Sequence, residues 1–144
     1  MNAGITPAGQ GMDGTVWNIL GQTYMPKQHS AECFTFETLF PDGTFVPPHI
    51  HPDQDEFIYV LSGQFELMLA GETKHAGPGD LIHMPRGVPH GIFNKSGADV
   101  RALFYVTPSG RLHELFTRIH DVREPEEVMR IARECDVEFL PPPA

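Results

Sequence analysis

The chain has 144 residues, with 10 Lys and Arg against 19 Asp and Glu, for a net charge of −9. The length suits one domain. The acidic balance argues against binding to nucleic acids or anionic membranes, since both need clustered basic side chains. Fourteen Gly and fourteen Pro residues favour short strands joined by tight turns over long helices.

The cysteines and the first residues indicate a cytoplasmic protein. Cys33 and Cys135 lie far apart and form neither a disulfide framework nor a CxxC site, so we expect both to be reduced. The first fourteen residues lack the basic start and apolar run of a signal peptide. The apolar stretches are also too short to span a bilayer.

In chain order, the sequence predicts a flexible arm over residues 1–14 and a β-barrel over residues 15–107. The arm is Gly-rich and polar. In the barrel region Phe34, Phe36 and Thr38 fall on one face of a strand, and Thr35, Glu37 and Leu39 fall on the other. This period of two is typical of a β-strand. Short apolar runs recur about every ten residues between turn signals, which is typical of a sandwich, jelly roll or barrel. Strands are predicted at residues 15–20, 33–40, 56–61, 64–69, 80–84, 90–94 and 100–106.

A helical extension is predicted over residues 108–144. One helical face consists of Leu112, Leu115, Phe116 and Ile119, and a second helix is expected to begin near Pro125. We expect both helices to pack on the barrel and cap one end of it. The alternative is that they cover the mouth of the barrel and shape substrate access.

Four residues have the spacing of metal ligands: His49, His51, Glu56 and His90. On a strand, two histidines two positions apart place both imidazoles on the same face. Glu56 begins the next predicted strand, and His90 begins another one further along the chain. Three imidazoles and one carboxylate suit one divalent transition metal, namely Fe, Ni, Mn, Cu or Zn. A metal that accepts five or six ligands would keep open positions, unlike a closed structural zinc site.

These residues resemble the two motifs of the cupin superfamily. Gly43, five residues, His49-x-His51, four residues, Glu56, six residues and Gly63 match the first motif. The second is matched by Gly79, five residues, Pro85-x-Gly87, two residues, His90, three residues and Asn94. The resemblance implies a mainly β, single-domain fold, the cupin double-stranded β-helix or jelly-roll barrel. It also implies the metal ligands His49, His51, Glu56 and His90.

Three further segments are similar to bacterial monocupins of the quercetin-dioxygenase-like group: residues 17–21, residues 47–67 and the tail from 107 to 142. This similarity implies an oxidoreductase, a metal-dependent dioxygenase of a small aromatic or enolic, flavonol-like compound. Glu56 would be the catalytic residue that takes the enol proton, a role that favours a raised carboxyl pKa. The walls would come from apolar strand residues, among them Phe45, Ile58, Val60, Phe65 and Phe104.

Two other functions stay open at this point. The same site could catalyse a non-oxidative isomerisation, cyclisation or decarboxylation. The chain could also be a small-molecule-binding cupin without turnover. A cupin of this size is expected to form a homodimer, and Phe57, Tyr59 and Leu61 belong either to that contact or to the core between the sheets.

Lesser candidates surround the ligand motifs. Gln54 and Asp53 lie in the turn between His51 and Glu56, where they could support the ligands through hydrogen bonds. His83 and Arg86 either face the cavity, where they would touch substrate, or lie on the surface.

Overall fold

The computed structural model describes residues 3–141. The first two residues of the predicted arm and the last three of the Pro-rich end lie outside this range. Within it, the strands are β1 Trp17–Ile19, β2 Gln22–His29, β3 Phe34–Phe40, β4 Phe45–Ile50, β5 Asp55–Ser62, β6 Phe65–Leu69, β7 Glu72–Ala76, β8 Leu81–Met84, β9 His90–Phe93, β10 Val100–Thr107 and β11 Glu138–Phe139. The α-helices are α1 Leu112–Ile119 and α2 Pro125–Glu134.

The strands form two antiparallel sheets that enclose the core. The six-stranded sheet has the order β1-β2-β3-β10-β5-β8, and the five-stranded sheet has the order β11-β4-β9-β6-β7. Neighbours such as β5 and β10 are distant in sequence, which is characteristic of a jelly roll and not of a simple meander. The predicted mainly β jelly-roll class is therefore confirmed.

The core follows from period-2 alternation along the strands. On β3 the side chains of Phe34, Phe36, Thr38 and Phe40 are buried, as the sequence pattern predicts. On β5, Ile58 and Val60 are fully buried while the intervening Tyr59 lies on the outer face. Of the two placements open for Phe57, Tyr59 and Leu61, the structure therefore selects the outer face of the six-stranded sheet.

Four observed strands, β2, β4, β7 and β11, are absent from the predicted ranges, and two of them show why. On β2 the buried positions are Gln22, Tyr24 and Pro26, so its inward face lacks the apolar signature that a periodicity analysis looks for. The edge strand β7 is exposed along most of its length and has the polar sequence ETKHA. Polar edge strands of this kind resist unwanted pairing with other chains. A search for apolar periodicity does not detect them.

The helices bury the faces predicted for them. On α1 the buried residues are Leu112, Leu115, Phe116 and Ile119, and α2 begins at Pro125 and buries Val128, Ile131 and Ala132. Neither helix in residues 3–141 is long and apolar enough to cross a membrane. After α2, the short strand β11 returns to the barrel and pairs with β4.

Candidate metal centre

The fold brings the four predicted ligands together. His49 lies on β4 directly opposite His90 on β9, His51 follows the end of β4, and Glu56 is near the start of β5. All four side chains are buried. One ligand atom from each residue lies within 4.8 Å of those from the others, so a single cation can contact all four.

Glu56 stands between two of the imidazoles. Its Oε2 is 3.4 Å from Nε2 of His51, and its Oε1 is 3.6 Å from Nε2 of His90. The ring centroids of His49 and His90 are 4.3 Å apart. The carboxylate and the three rings therefore surround one small space.

The opposite nitrogen of each ring is held by an acceptor. Nδ1 of His49 lies 2.8 Å from the Pro47 carbonyl oxygen, and Nδ1 of His90 lies 3.2 Å from that of Val88. A carbonyl oxygen only accepts hydrogen bonds, so these Nδ1 atoms carry the protons. In the neutral ring the Nε2 atom then presents its lone pair, as a metal ligand must.

Two of these Nε2 atoms have no hydrogen-bond partner. Among the buried side-chain nitrogen and oxygen atoms of residues 3–141, Nε2 of His51 and Nε2 of His90 are the two left unsatisfied. Leaving a buried polar atom unpaired costs about 1–3 kcal/mol. A metal ion at the centre of the cluster would satisfy both atoms, so the residues fit the metal that the cupin motifs imply.

The electrostatics of the cluster favour neutral rings at His49 and His51 and an ionised carboxylate at Glu56. Burial lowers the pKa of His49 well below its ordinary value, and the neighbouring His90 and His51 lower it further. Burial also lowers the pKa of His51, although Glu56 opposes the shift. Burial by itself would raise the pKa of Glu56, but His51 and His90 outweigh it and bring that pKa to about 2. The raised pKa expected for a proton-accepting Glu56 is therefore not found.

The cluster opens into an apolar cavity. His49, His51 and Glu56 line it, together with Phe104 and Phe45 from the predicted wall. The other predicted wall residues, Ile58, Val60 and Phe65, are buried in the core but do not line the cavity. Sequence reasoning also missed two polar residues of the wall, Gln22 and Tyr24, because they carry no ligand-like spacing.

The C-terminal extension forms part of the same cavity. Its lining residues come from both helices and the segment after them: Leu112, Leu115, Phe116, Ile119, Val128, Ala132, Val137 and Phe139. The cavity volume is about 80 Å³, below the roughly 300–1,000 Å³ of typical small-molecule sites. A substrate with one or more rings therefore requires part of the wall to move. The helices are the part of the wall outside the hydrogen-bonded sheets.

The lesser candidates divide between the site and the surface. Gln54 is buried and contacts His51, whereas Asp53 is exposed. Arg86 pairs with Asp55 at 3.3 Å. His83 is exposed and stacks on Phe57 with centroids 4.6 Å apart. Arg86 and His83 therefore belong to the surface alternative.

Comparison with known proteins agrees with this fold. Residues 36–106 match the Cupin_2 family, described as a cupin domain. The structure of the polyketide cyclase RemF from Streptomyces resistomycificus superposes with a TM-score of 0.62 at 25% identity, over 76% of this chain and 80% of that one. The chain thus has the cupin fold, and the match supports its place in the cupin superfamily.

The curated relatives are enzymes and biosynthetic proteins of several kinds. The tetracenomycin polyketide synthase protein TcmJ of Streptomyces glaucescens is 27% identical over 73 residues, which are 51% of this chain and 49% of TcmJ. Quercetin 2,3-dioxygenase of Bacillus subtilis is 44% identical over 48 residues, which are 33% of this chain and 14% of that protein. The chain spans at most about half the length of these relatives. They support an enzyme family in general and do not single out a dioxygenase.

Proposed function

We propose that the chain is a metal-dependent enzyme acting on a small aromatic compound that carries enolic or phenolic oxygens. The observation that carries the proposal is the buried cluster of His49, His51, Glu56 and His90, which opens into a cavity with apolar and aromatic walls. A cavity of this composition favours an apolar molecule with a few oxygen functions.

In this proposal the four residues of the cluster hold one divalent transition metal. The bound metal would supply a Lewis acid at which substrate oxygens bind. The backbone carbonyls of Pro47 and Val88 keep the rings of His49 and His90 in one tautomer and one orientation. The protein thus contributes four buried ligands, two of which have their rings oriented by the backbone.

Glu56 is the proposed proton acceptor. It is the one carboxylate among the described residues that line the cavity. With its pKa at about 2 it is ionised at neutral pH and able to accept a hydrogen bond or a proton. A carboxylate of such low pKa is a weak base, so it suits only an enol that the site has already made acidic.

Two reactions fit this site. Dioxygenation of a flavonol-like enol is supported by the 44% identity to quercetin 2,3-dioxygenase, which covers a third of the chain. Non-oxidative cyclisation is supported by the likeness to the polyketide cyclase RemF, which covers 76% of the chain. Both reactions act on an enol or an enolisable ketone, and in this proposal both use the same four residues as metal ligands.

The deciding experiment begins with elemental analysis of protein purified without added metal. Oxygen uptake is then measured for the iron-, nickel-, manganese-, copper- and zinc-loaded protein with quercetin and with linear polyketide mimics. Uptake with stoichiometric product identifies a dioxygenase. Turnover under anaerobic conditions identifies the non-oxidative enzyme. Binding without product under both conditions identifies a binding cupin and contradicts the proposed enzyme.

A further inference from the structure

The cavity wall contains a second polar group besides the metal cluster. Gln22 and Tyr24 are two positions apart on β2, so both side chains point to the same face of the sheet. They are 1% and 4% exposed, and both line the cavity that the cluster opens into. The remaining lining residues outside the cluster are apolar.

Hydrogen bonds hold Gln22 and Tyr24 in place but do not use all of their donor and acceptor positions. The Tyr24 hydroxyl donates to Oε1 of Gln22, and Nε2 of Gln22 donates to the Phe45 carbonyl oxygen at 3.0 Å. A phenol oxygen keeps lone pairs after donating, and an amide nitrogen has two hydrogens. Within residues 3–141, Tyr24 thus keeps one free acceptor position and Gln22 one free donor position.

The Tyr24 hydroxyl keeps its proton over the whole physiological range. Burial and the negative charge of Glu56 both raise the pKa of this hydroxyl far above its ordinary value. A neutral hydroxyl that donates to Gln22 leaves its oxygen as an acceptor. The hydrogen-bonding pattern of the pair is therefore constant.

Aromatic rings surround the pair. The Tyr24 ring lies 4.9 Å from that of Phe116 and 5.5 Å from that of Phe36, centroid to centroid. Phe36 in turn stacks on Phe104 at 5.1 Å. Such a wall favours an aromatic ring beside the pair, since ring pairs at 4.5–7 Å gain energy beyond burial.

We propose that Gln22 and Tyr24 determine specificity by binding a hydroxyl group on the aromatic part of the substrate. The substrate hydroxyl would donate to Oη of Tyr24 and accept from Nε2 of Gln22. The substrate class is then a hydroxylated aromatic compound whose other end carries the oxygens that bind the metal. The statement about the metal-binding end rests on the proposed function.

The test uses two probes that differ by one hydroxyl. Both 1-phenylbutane-1,3-dione and 1-(4-hydroxyphenyl)butane-1,3-dione carry the same chelating enol, and only the second carries the ring hydroxyl. Their dissociation constants are measured by calorimetry on the metal-loaded protein. We expect the hydroxylated probe to bind about five- to tenfold tighter, the gain of a typical hydrogen bond. Equal binding of the two probes by the wild-type protein would overturn the proposal.

Tyr24→Phe is the first variant. It is expected to reduce the ratio between the probes to below about twofold and to leave the dissociation constant of the unhydroxylated probe unchanged within about twofold. Tyr105→Phe removes a hydroxyl from β10 of the same sheet, at a residue that stacks on Phe57 and does not line the cavity. This control is expected to keep the wild-type ratio. A Tyr24→Phe protein that keeps the wild-type ratio would contradict the role of the pair.

A second variant and a metal measurement complete the test. Gln22→Met removes the donor with little change in volume. We expect the same loss of the difference between the two probes. This variant tests the role of the pair if Tyr24→Phe fails to fold. Metal content is measured on every protein. A chain that takes up no metal contradicts the proposed function. Equal binding of the two probes by a chain that does take up metal contradicts only the role of Gln22 and Tyr24.

Discussion

The Nδ1 atom of His51 lies 2.7 Å from Oε1 of Gln54, and this contact can have only one direction. Nε2 of Gln54 donates to the carbonyl oxygens of Pro108 and Ser109, at 2.9 and 2.8 Å. The amide oxygen is therefore the atom that faces His51, and the histidine must donate. The tautomer of a candidate metal ligand thus depends on the segment that joins the barrel to α1.

Replacing Gln54 should weaken metal binding. In Gln54→Leu the ring of His51 loses its acceptor, and nothing then fixes its tautomer. We expect the metal dissociation constant to rise about 10- to 100-fold, the usual cost of losing a group that orients a ligand. Competition with a chromophoric chelator measures it.

Gln28→Leu is the matched control for this variant. Gln28 also bonds through its amide, to the Cys33 carbonyl and the Thr35 hydroxyl, but away from the cluster. Equal metal affinity in the Gln54 and Gln28 variants would show that the contact with His51 does not orient the ligand.

Removing a ligand should remove the metal. Glu56→Gln keeps the size of the side chain but not the charge, and His90→Ala removes a ring that is 1% exposed. In each variant we expect the metal content after dialysis to fall at least about tenfold. His75→Ala, at an exposed histidine of β7, is expected to keep the wild-type content. If both cluster variants keep the wild-type content too, another group binds the metal.

The metal-free protein should lose stability in acid. The pKa values of His49 and His51 are lowered in the folded chain, so the unfolded chain binds more protons below about pH 6.5. The free energy of unfolding is then expected to fall as the pH drops from 7.5 to 5.5. The slope approaches about 1.4 kcal/mol per pH unit for each such histidine.

Urea unfolding at both pH values checks this dependence. The His49→Gln variant should give a flatter profile, since one of the two groups no longer titrates. Below about pH 4.5 the lowered pKa of Glu56 acts in the same direction, because its protonation also favours the unfolded chain. A stability that is constant or increasing between pH 7.5 and 5.5 would contradict this account.

The contact between α1 and the barrel should dominate the stability of the extension. Phe116 is buried, and its ring lies 4.9 Å from that of Phe36 and 5.5 Å from that of Trp17. Phe116→Ala is expected to lower the free energy of unfolding by about 3–5 kcal/mol. The neighbouring exposed Thr117→Ala should change it by less than about 0.5 kcal/mol. Denaturation followed by the fluorescence of Trp17 measures both, and a similar loss in the two would disprove the assigned packing.

The homodimer stays a prediction, and the structure indicates where to test it. The outer face of the six-stranded sheet exposes Tyr59, Leu61 and Leu81 at 42%, 39% and 56%. Leu81→Asp is expected to convert a dimer into a monomer, as measured by light scattering on a size-exclusion column. Val16→Asp is the control, because this 51% exposed apolar residue precedes β1, at the opposite edge of the sheet from β8. A wild-type chain that is monomeric at all concentrations would refute the prediction.

The sequence alone determined the fold class and the composition of the candidate site. Its local rules sufficed because a strand alternates with period two, so His49 and His51 had to share a face. The alternation of Phe34, Phe36 and Thr38 indicated one buried face for the same reason. The glycines and prolines at the turns indicated where along the sequence each strand ends. The division into an arm, a barrel and a helical extension remains a prediction of this kind.

The tertiary structure decided what depends on partners distant in sequence. The amide oxygen of Gln54 faces His51 because the amide nitrogen is held by the carbonyl oxygens of Pro108 and Ser109, 54 and 55 positions further along the chain. Gln22 and Tyr24 became part of the cavity wall because β2 lies beside β3 in the sheet, although no periodic signal marks the strand. The outward direction of Tyr59 and the place of α1 and α2 on the cavity wall likewise follow from sheet order and packing. An apolar pattern in the sequence shows which residues of a strand share a face. It does not show which strands lie beside that strand, and burial depends on both.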